Sequence, residues 1–257
     1  MKVVIIGSGN VATVLGRKIL KAGHEISQVI SRNKEHARQL AGELKCGYAS
    51  ALEDIRSDSD IYVIAVSDSS LSEIANKLFL DKKLVVHTAG SVPKDVLRNV
   101  SRNYGVLYPL QSLRKEIGSI SEIPLLVDGN TADDLALIYD FAKTISNQAE
   151  IAGDEERSKL HVGAIIVNNF TNYLFSLTED YCKSERISFK LLLPLINETA
   201  SRLSAYSAKE VQTGPAARND FQTIEKHIQL LAGYPDLQNI YRLITAGIIG
   251  HYKERLS

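Results

Sequence analysis

Short apolar runs with almost no polar interruption alternate with amphipathic stretches through the first 150 residues. Val3–Ile6, Ile26–Ile30, Ile61–Val66, Leu84–His87, Gly105–Tyr108, Leu125–Val127 and Ala149–Ile151 predict strands. A strand apolar at every position must be covered on both faces. Most connections leave room for a covering helix, the first over Val11–Ala22. This pattern predicts an α/β fold with a doubly wound, mostly parallel sheet. After Gly153 the strand signal stops. Helical periodicity covers Glu155–Lys183, Phe189–Ser204, Asp220–Ala232 and Asp236–Arg255, so an all-helical C-terminal domain is expected. The expected division is residues 1–152 and 153–257. Asn219 or Asp220 can cap the third helix, and Asn219-x-x-Gln222 fits a capping box.

Composition narrows the partners. The chain has 257 residues, 44% apolar and 23% charged, enough apolar material for packed cores. Lys plus Arg and Asp plus Glu each number 30, with 18 against 18 in residues 1–150 and 12 against 12 beyond. Binding nucleic acid needs a local basic excess that neither half supplies, so no nucleic-acid partner is expected. The apolar runs fall far short of the ~20 residues a membrane span needs. Met1–Gly9 lacks the apolar length of a signal peptide, so a cytoplasmic protein is expected. Cys46 and Cys182 stand alone, without ligand spacing to any His, and no metal site is expected.

Candidate chemistry starts at Gly7-x-Gly9-x-x-Ala12, directly after the first strand and opening the first helix. That context is what a dinucleotide-binding turn requires. Gly7 permits the tight turn, Gly9 lets a pyrophosphate approach the backbone, and Ala12 and Gly16 let the helix lie close to the sheet. The N–H groups around Asn10 and Val11 then face phosphates at the positive helix end. The doubly wound sheet is therefore read as a Rossmann domain. At the end of the second strand, Ser31 lies 19 positions after Ala12. NAD-binding proteins place an Asp or Glu there, at ~20, on the ribose 2′-hydroxyl. Here Ser31 offers a hydroxyl and Arg32 a planar cation suited to a 2′-phosphate, which points to NADP (NADPH). Arg32 as a solvated surface arginine is the alternative.

With this turn, Ser31-Arg32 and Val66-Ser67-Asp68-Ser69, the chain resembles the 6-phosphogluconate-dehydrogenase-like superfamily, which includes pyrroline-carboxylate reductase, β-hydroxyacid dehydrogenases and deazaflavin-dependent NADP oxidoreductases. His87-Thr88-Ala89-Gly90-Ser91, Tyr108-Pro109-Leu110-Gln111-Ser112-Leu113 and Thr213-Gly214-Pro215-Ala216-Ala217-Arg218-Asn219-Asp220 narrow the match. They are similar to a bacterial family with a Rossmann-like N-terminal domain, an all-helical C-terminal domain and a provisional label of NADP oxidoreductase. The resemblance implies fold and cofactor without implying a substrate.

Ligands of open α/β sheets sit beyond the carboxyl ends of the strands. Val66, Ser67 and Asp68 follow one strand, and His87 and Thr88 end the next, so the nicotinamide is expected over them. His87 is the first choice for proton transfer, with a strand-end histidine bonded to backbone as its alternative. His161 is the second choice. Seven positions on, Asn168 falls on the same helical face, and with Asn169 it is a candidate substrate contact. Hydroxyacid dehydrogenases of the superfamily carry a lysine one turn before an asparagine. Here those positions hold Ala164 and Ile165, which argues against that reaction. Thr213 and Arg218 frame a Gly-Pro turn read either as an anion-recognising loop or as an Arg–Asp brace of the next helix. His227 reads as a structural histidine. The expected function is NADP-dependent oxidation or reduction of a small molecule in a cleft between the domains. The alternative is a non-catalytic NADP-binding sensor or scaffold. The Glu155–Lys183 helix is apolar over more than one stripe, so it should be buried on most sides, and a homodimer through residues beyond 152 is expected.

Overall fold

The computed structural model describes residues 1–118 and 122–252. It forms two compact units, Met1–Asn168 and Asn169–Ser257. The first contains β1 (Lys2–Ile6), α1 (Asn10–Lys21), β2 (Glu25–Ile30), α2 (Lys34–Leu44), β3 (Gly47–Ala49), β4 (Ile61–Ile64), α3 (Asp68–Ala75), β5 (Leu84–His87), β6 (Asn103–Pro109), β7 (Leu125–Gly129), α4 (Ala132–Ile145), β8 (Ala149–Ile151) and α5 (Asp154–Ala164). One sheet takes the order β3-β2-β1-β4-β5-β6-β7-β8. Every pairing is parallel except β6 with β7. The chain leaves β1 toward β2 on one side and toward β4 on the other. That reversal opens a crevice at the carboxyl ends of β1 and β4.

The alternation within β1 shows why its sequence is apolar throughout. Val3 and Ile5 join one buried cluster with Leu15, Ile19, Leu44 and Phe141 of the helices. Val4 and Ile6 join another with Leu71, Leu78 and Leu97 on the opposite face. The seven expected strands all form. The sequence pattern misses β3, three residues paired at the sheet edge with Gln28–Ile30. Gly-Tyr-Ala carries no apolar run, and an edge strand needs none.

Beyond β8 the chain is helical. Instead of one helix over Glu155–Lys183, α5 passes into a π-helical turn at Ile165–Phe170 and then α6 (Thr171–Ser184). The division between the units falls inside that turn. The second unit continues with α7 (Leu193–Ser201), flanked by short 3₁₀ turns, then α8 (Phe221–Leu230) and α9 (Pro235–Tyr252). Residues 253–255 of the expected fourth helix lie outside the described residues. Asp220 caps α8, accepting from Thr223 N at 3.0 Å. The Asn219 capping box does not form, because Asn219 takes a left-handed conformation (φ 56°) that ends the preceding 3₁₀ turn. The expectation that the 155–183 region is buried on most sides also fails within this chain. Val162, Ile166, Val167 and Phe170 are all more than half exposed. No described helix is long and apolar enough to cross a membrane.

Candidate active site

Gly9 is the N-cap of α1, its carbonyl accepting from Thr13 N at 3.0 Å and Thr13 Oγ1 at 2.9 Å. The first N–H groups of the helix, Asn10 and Val11 among them, have no partner within it. Gly7 has φ +128°, and a Cβ there would overlap the carbonyl oxygen of Ala65. A Cβ on Gly9 would meet nothing within 4 Å. The first glycine is thus required by the fold, and the second opens onto vacant space. Gly16 fills a close approach, since a Cβ there would press on Leu44 and Ile5. Ala12 is fully buried.

That space is a cavity of about 540 Å³ at the switch point. Gly7, Gly9, Asn10 and Val11 line one part, and Ser31 and Arg32 another. Val66 and Ser67 line the β4 side. The expected cofactor residues therefore converge, apart from Ala12, which packs behind the turn, and Asp68 and Thr88, which lie further along the strand ends. Ser31 Oγ accepts from Ser8 Oγ at 2.7 Å. Arg32 reaches Glu73 at 3.4 Å and Ser70 at 3.3 Å. Glu73, on α3, is held below the usual carboxylate range, chiefly by its hydrogen bond from Lys77 and also by Arg32. The sequence reading missed Ser8, Ser70, Glu73 and Lys77. Ser8 was readable as the residue between the two glycines. Ser70 and Glu73 of α3 and Lys77 just past it carry no motif, and they reach the rim because Leu71 and Ala75 pack α3 into one buried cluster with Tyr62 and Ile64 of β4. The donors match a dinucleotide: an open glycine at a helix N-terminus for the pyrophosphate, and a cation at the end of β2 for a 2′-phosphate.

Further along the strand ends is a second cluster, from β5, β6, α3 and α5. Tyr108 of β6 lies 2.8 Å from His161 Nδ1 of α5, ring edge to face. Gly90 lies beside this pair, and a Cβ there would collide with His161 and Tyr108. Asp68 accepts from Ser91 Oγ at 2.6 Å. Burial first, and then the Asp68 carboxylate, push the Tyr108 phenol up. Tyr108 was legible in sequence as part of the Tyr-Pro segment, but nothing there assigned it chemistry, because its partner is 53 residues away.

His87 occupies a different environment from the one its strand position suggests. It is fully buried, its Nδ1 accepting from Ala89 N at 3.1 Å. Burial, with Arg157 adding to it, lowers its pKa to about 4. The ring is neutral at neutral pH and exposes no atom to a cleft. Arg157, also fully buried, donates to Val92 O at 2.6 Å and Asp154 Oδ1 at 2.7 Å. Asp154 further accepts from Lys94 N at 3.0 Å. Burial pushes the Asp154 carboxyl up, but Arg157 and the Lys94 N–H outweigh it and hold it low. Arg157 thus ties the segment after β5 to α5, one turn before His161. Thr88 is buried, its hydroxyl 3.5 Å from Ile64 O.

The remaining candidates are not brought to either cluster by the first unit. Asn168 and Asn169 sit exposed in the π turn. Its wider turns break the 3.6-residue register that set Asn168 over His161. In the second unit Thr213 and Arg218 are exposed around a turn at Gly214 (φ +106°). Asp220 is held low mainly by Thr223, with Arg218 a lesser electrostatic contributor. His227 lies 2.9 Å from Tyr241 OH, as expected of a structural histidine. Among the described residues no His, Cys, Asp or Glu cluster could hold a metal.

Comparison with known proteins places these features. Residues 2–90 match the family described as NADP oxidoreductase, coenzyme F420-dependent, and residues 123–248 match a domain of unknown function (DUF2520). No match is found among curated proteins. Among solved structures, a Bacteroides fragilis protein provisionally assigned as an NADP oxidoreductase is 34% identical, with 97% of this chain and 98% of that one aligned at a TM-score of 0.90. A Streptococcus pyogenes 1-pyrroline-5-carboxylate reductase shares the fold at 13% identity, 97% and 98% coverage and TM-score 0.65. An imine reductase from Myxococcus stipitatus in complex with NADP+ shares it at 18%, 100% and 94%, and 0.64. On this evidence the protein belongs to the family of the Bacteroides fragilis protein provisionally assigned as an NADP oxidoreductase, its own residues 2–90 matching the NADP oxidoreductase, coenzyme F420-dependent, model and residues 123–248 the DUF2520 model.

Proposed function

We propose that this NADP oxidoreductase reduces a small molecule bearing a C=N bond, with NADPH in the β1–β4 crevice and Tyr108–His161 as its proton-handling pair. NADPH, when bound, supplies the hydride. The N-terminal turn of α1 holds the pyrophosphate through N–H groups that Gly9 leaves approachable, and Arg32 with Ser31 holds the 2′-phosphate. Val66 and Ser67, which line the β4 side of the cavity, shape it toward the nicotinamide.

The observation that carries the chemistry is the 2.8 Å bond between Tyr108 and His161 beside Gly90. A phenol whose proton is held tightly by burial is a neutral donor at pH 7, and a histidine one bond away can replace the proton it gives. The missing side chain of Gly90 lets the pair pack directly against the backbone after β5. Asp68, at the start of α3, supplies negative charge near the tyrosine, which favours a cationic iminium over a neutral carbonyl. His87 takes no proton-transfer role in this reading, since it is buried and neutral. Asn168, Asn169, Thr213 and Arg218 remain candidates for substrate contact, on exposure and residue type alone.

The reading extends to assembly as a homodimer through the helical region. In the second unit Leu191, Leu195 and Leu243 are each more than 60% exposed. Apolar exposure on that scale marks an interaction face. Light scattering at micromolar concentration should give about twice 28.3 kDa, and a monomer would refute this. The function is tested by following NADPH absorbance with cyclic imines, carbonyls and a deazaflavin acceptor. Turnover confined to imines supports the proposal. Turnover of only the deazaflavin, or of none, overturns it, and tight NADPH binding without any turnover would favour a sensor.

A further inference from the structure

The outer rim of the cofactor cavity holds a second cation that no strand-end pattern marks. Lys77 lies two residues past the end of α3, with Nζ 2.8 Å from Glu73 Oε1. The other carboxylate oxygen of Glu73 lies 3.4 Å from Arg32 Nη1. Arg32 Nη2 donates to Ser70 Oγ at 3.3 Å, and Ser70 in turn accepts from Ser67 Oγ at 2.9 Å. One carboxylate thus bridges two cations, one oxygen to each, and all of these side chains line the cavity that the glycine turn opens. The side chains of Arg32, Glu73 and Lys77 are 77%, 49% and 63% exposed. Ion pairs this wet contribute little net stability, so the cations exchange partners readily.

We propose that Lys77 and Glu73 set the choice between NADP and NAD: Lys77 joins Arg32 on the 2′-phosphate, and Glu73 holds both cations until the phosphate takes its place. The proposal rests on the reading that this cavity takes the adenosine end of the cofactor. A phosphate monoester brings close to two negative charges and three acceptor oxygens, which a pair of cations matches better than one arginine. Glu73 stays on α3 after the exchange and repels the phosphate, so it holds NADP preference below what two cations alone would give. The 2′-hydroxyl of NAD is a donor, and a carboxylate at that place accepts from it. Glu73 therefore supports NAD binding while it opposes NADP.

The test is titration calorimetry of the full chain with NADPH and NADH, each variant first shown to melt as the parent does. E73Q should raise the NADPH-to-NADH affinity ratio about three- to tenfold, by tightening NADPH and weakening NADH. K77Q should lower the ratio by a similar factor with NADH unchanged, and both effects should shrink at high salt. E53Q makes the same charge change at another lining carboxylate, on the turn Leu52–Asp54, and should leave the ratio within twofold. An unchanged ratio in E73Q or K77Q, or an equal shift in E53Q, overturns the proposal. If instead G9V binds NADPH as the parent does, the cavity is not the cofactor site and the underlying reading has failed.

Discussion

The two glycines of the first turn should fail in opposite ways. Gly7 sits at φ +128°, a region side chains rarely enter, and a Cβ there falls inside the Ala65 carbonyl. Backbone strain of this kind costs about 1–3 kcal/mol by itself. Relieving the overlap moves β4 from β1, against the bond from Ala65 N to Ile6 O at 2.7 Å. Gly7→Ala should therefore lose about 3 kcal/mol or more, a melting shift of roughly 6–12 °C for a unit of this size. Gly9 is different: its φ of −83° and ψ of −169° suit any residue, and a Cβ meets no atom within 4 Å. Gly9→Val should cost stability only about 1 kcal/mol, from the poorer N-cap. It should nevertheless remove the approach of phosphate to the Asn10 and Val11 N–H groups. Two charge-assisted bonds at about 1.5–3 kcal/mol each amount to at least a hundredfold in affinity. Thermal melting by circular dichroism reads the first effect and calorimetry with NADPH the second. A Gly9→Val protein that binds NADPH within threefold of the parent would refute the placement of the pyrophosphate. A Gly7→Ala protein melting with the parent would refute the account of the turn.

Three further outcomes are expected. Arg32→Ala should weaken NADPH about 10- to 100-fold and leave NADH nearly unchanged, so that calorimetry finds little remaining preference. Once a substrate is found, Tyr108→Phe should cost turnover about 10²- to 10⁴-fold while NADPH affinity and melting stay close to the parent, and parental turnover would remove the pair from the chemistry. His87 has a folded pKa of about 4 against an unfolded 6.5, so between those values the unfolded chain binds more protons and stability falls as pH falls. The neutral ring contributes about 3 kcal/mol at pH 7 that is lost on the way to pH 4, so His87→Gln should flatten denaturant-derived stability across that range. An equally steep slope in the variant would show that His87 titrates normally.

The sequence by itself determined the sheet, because a strand covered on both faces must be apolar at every position, as Val3–Ile6 is. It also determined the glycine turn, since the backbone there demands Gly7 and the motif marks Gly9 at the helix start. Arg32 was readable because its place is fixed by counting along a strand. Tertiary structure decided the surroundings of the candidate side chains. His87 and His161 look alike as residues, yet one is fully buried with its pKa lowered to about 4, and the other is hydrogen-bonded by a tyrosine 53 positions away in the chain. Lys77 and Glu73 follow no motif, and they reach the cavity because α3 packs into one buried cluster with β4. The π turn at Ile165–Phe170 likewise escaped a 3.6-residue reading, which assumes the period it is meant to detect. Short-range patterns encode backbone geometry and burial. A site assembled from separate segments depends on distances that no local pattern contains.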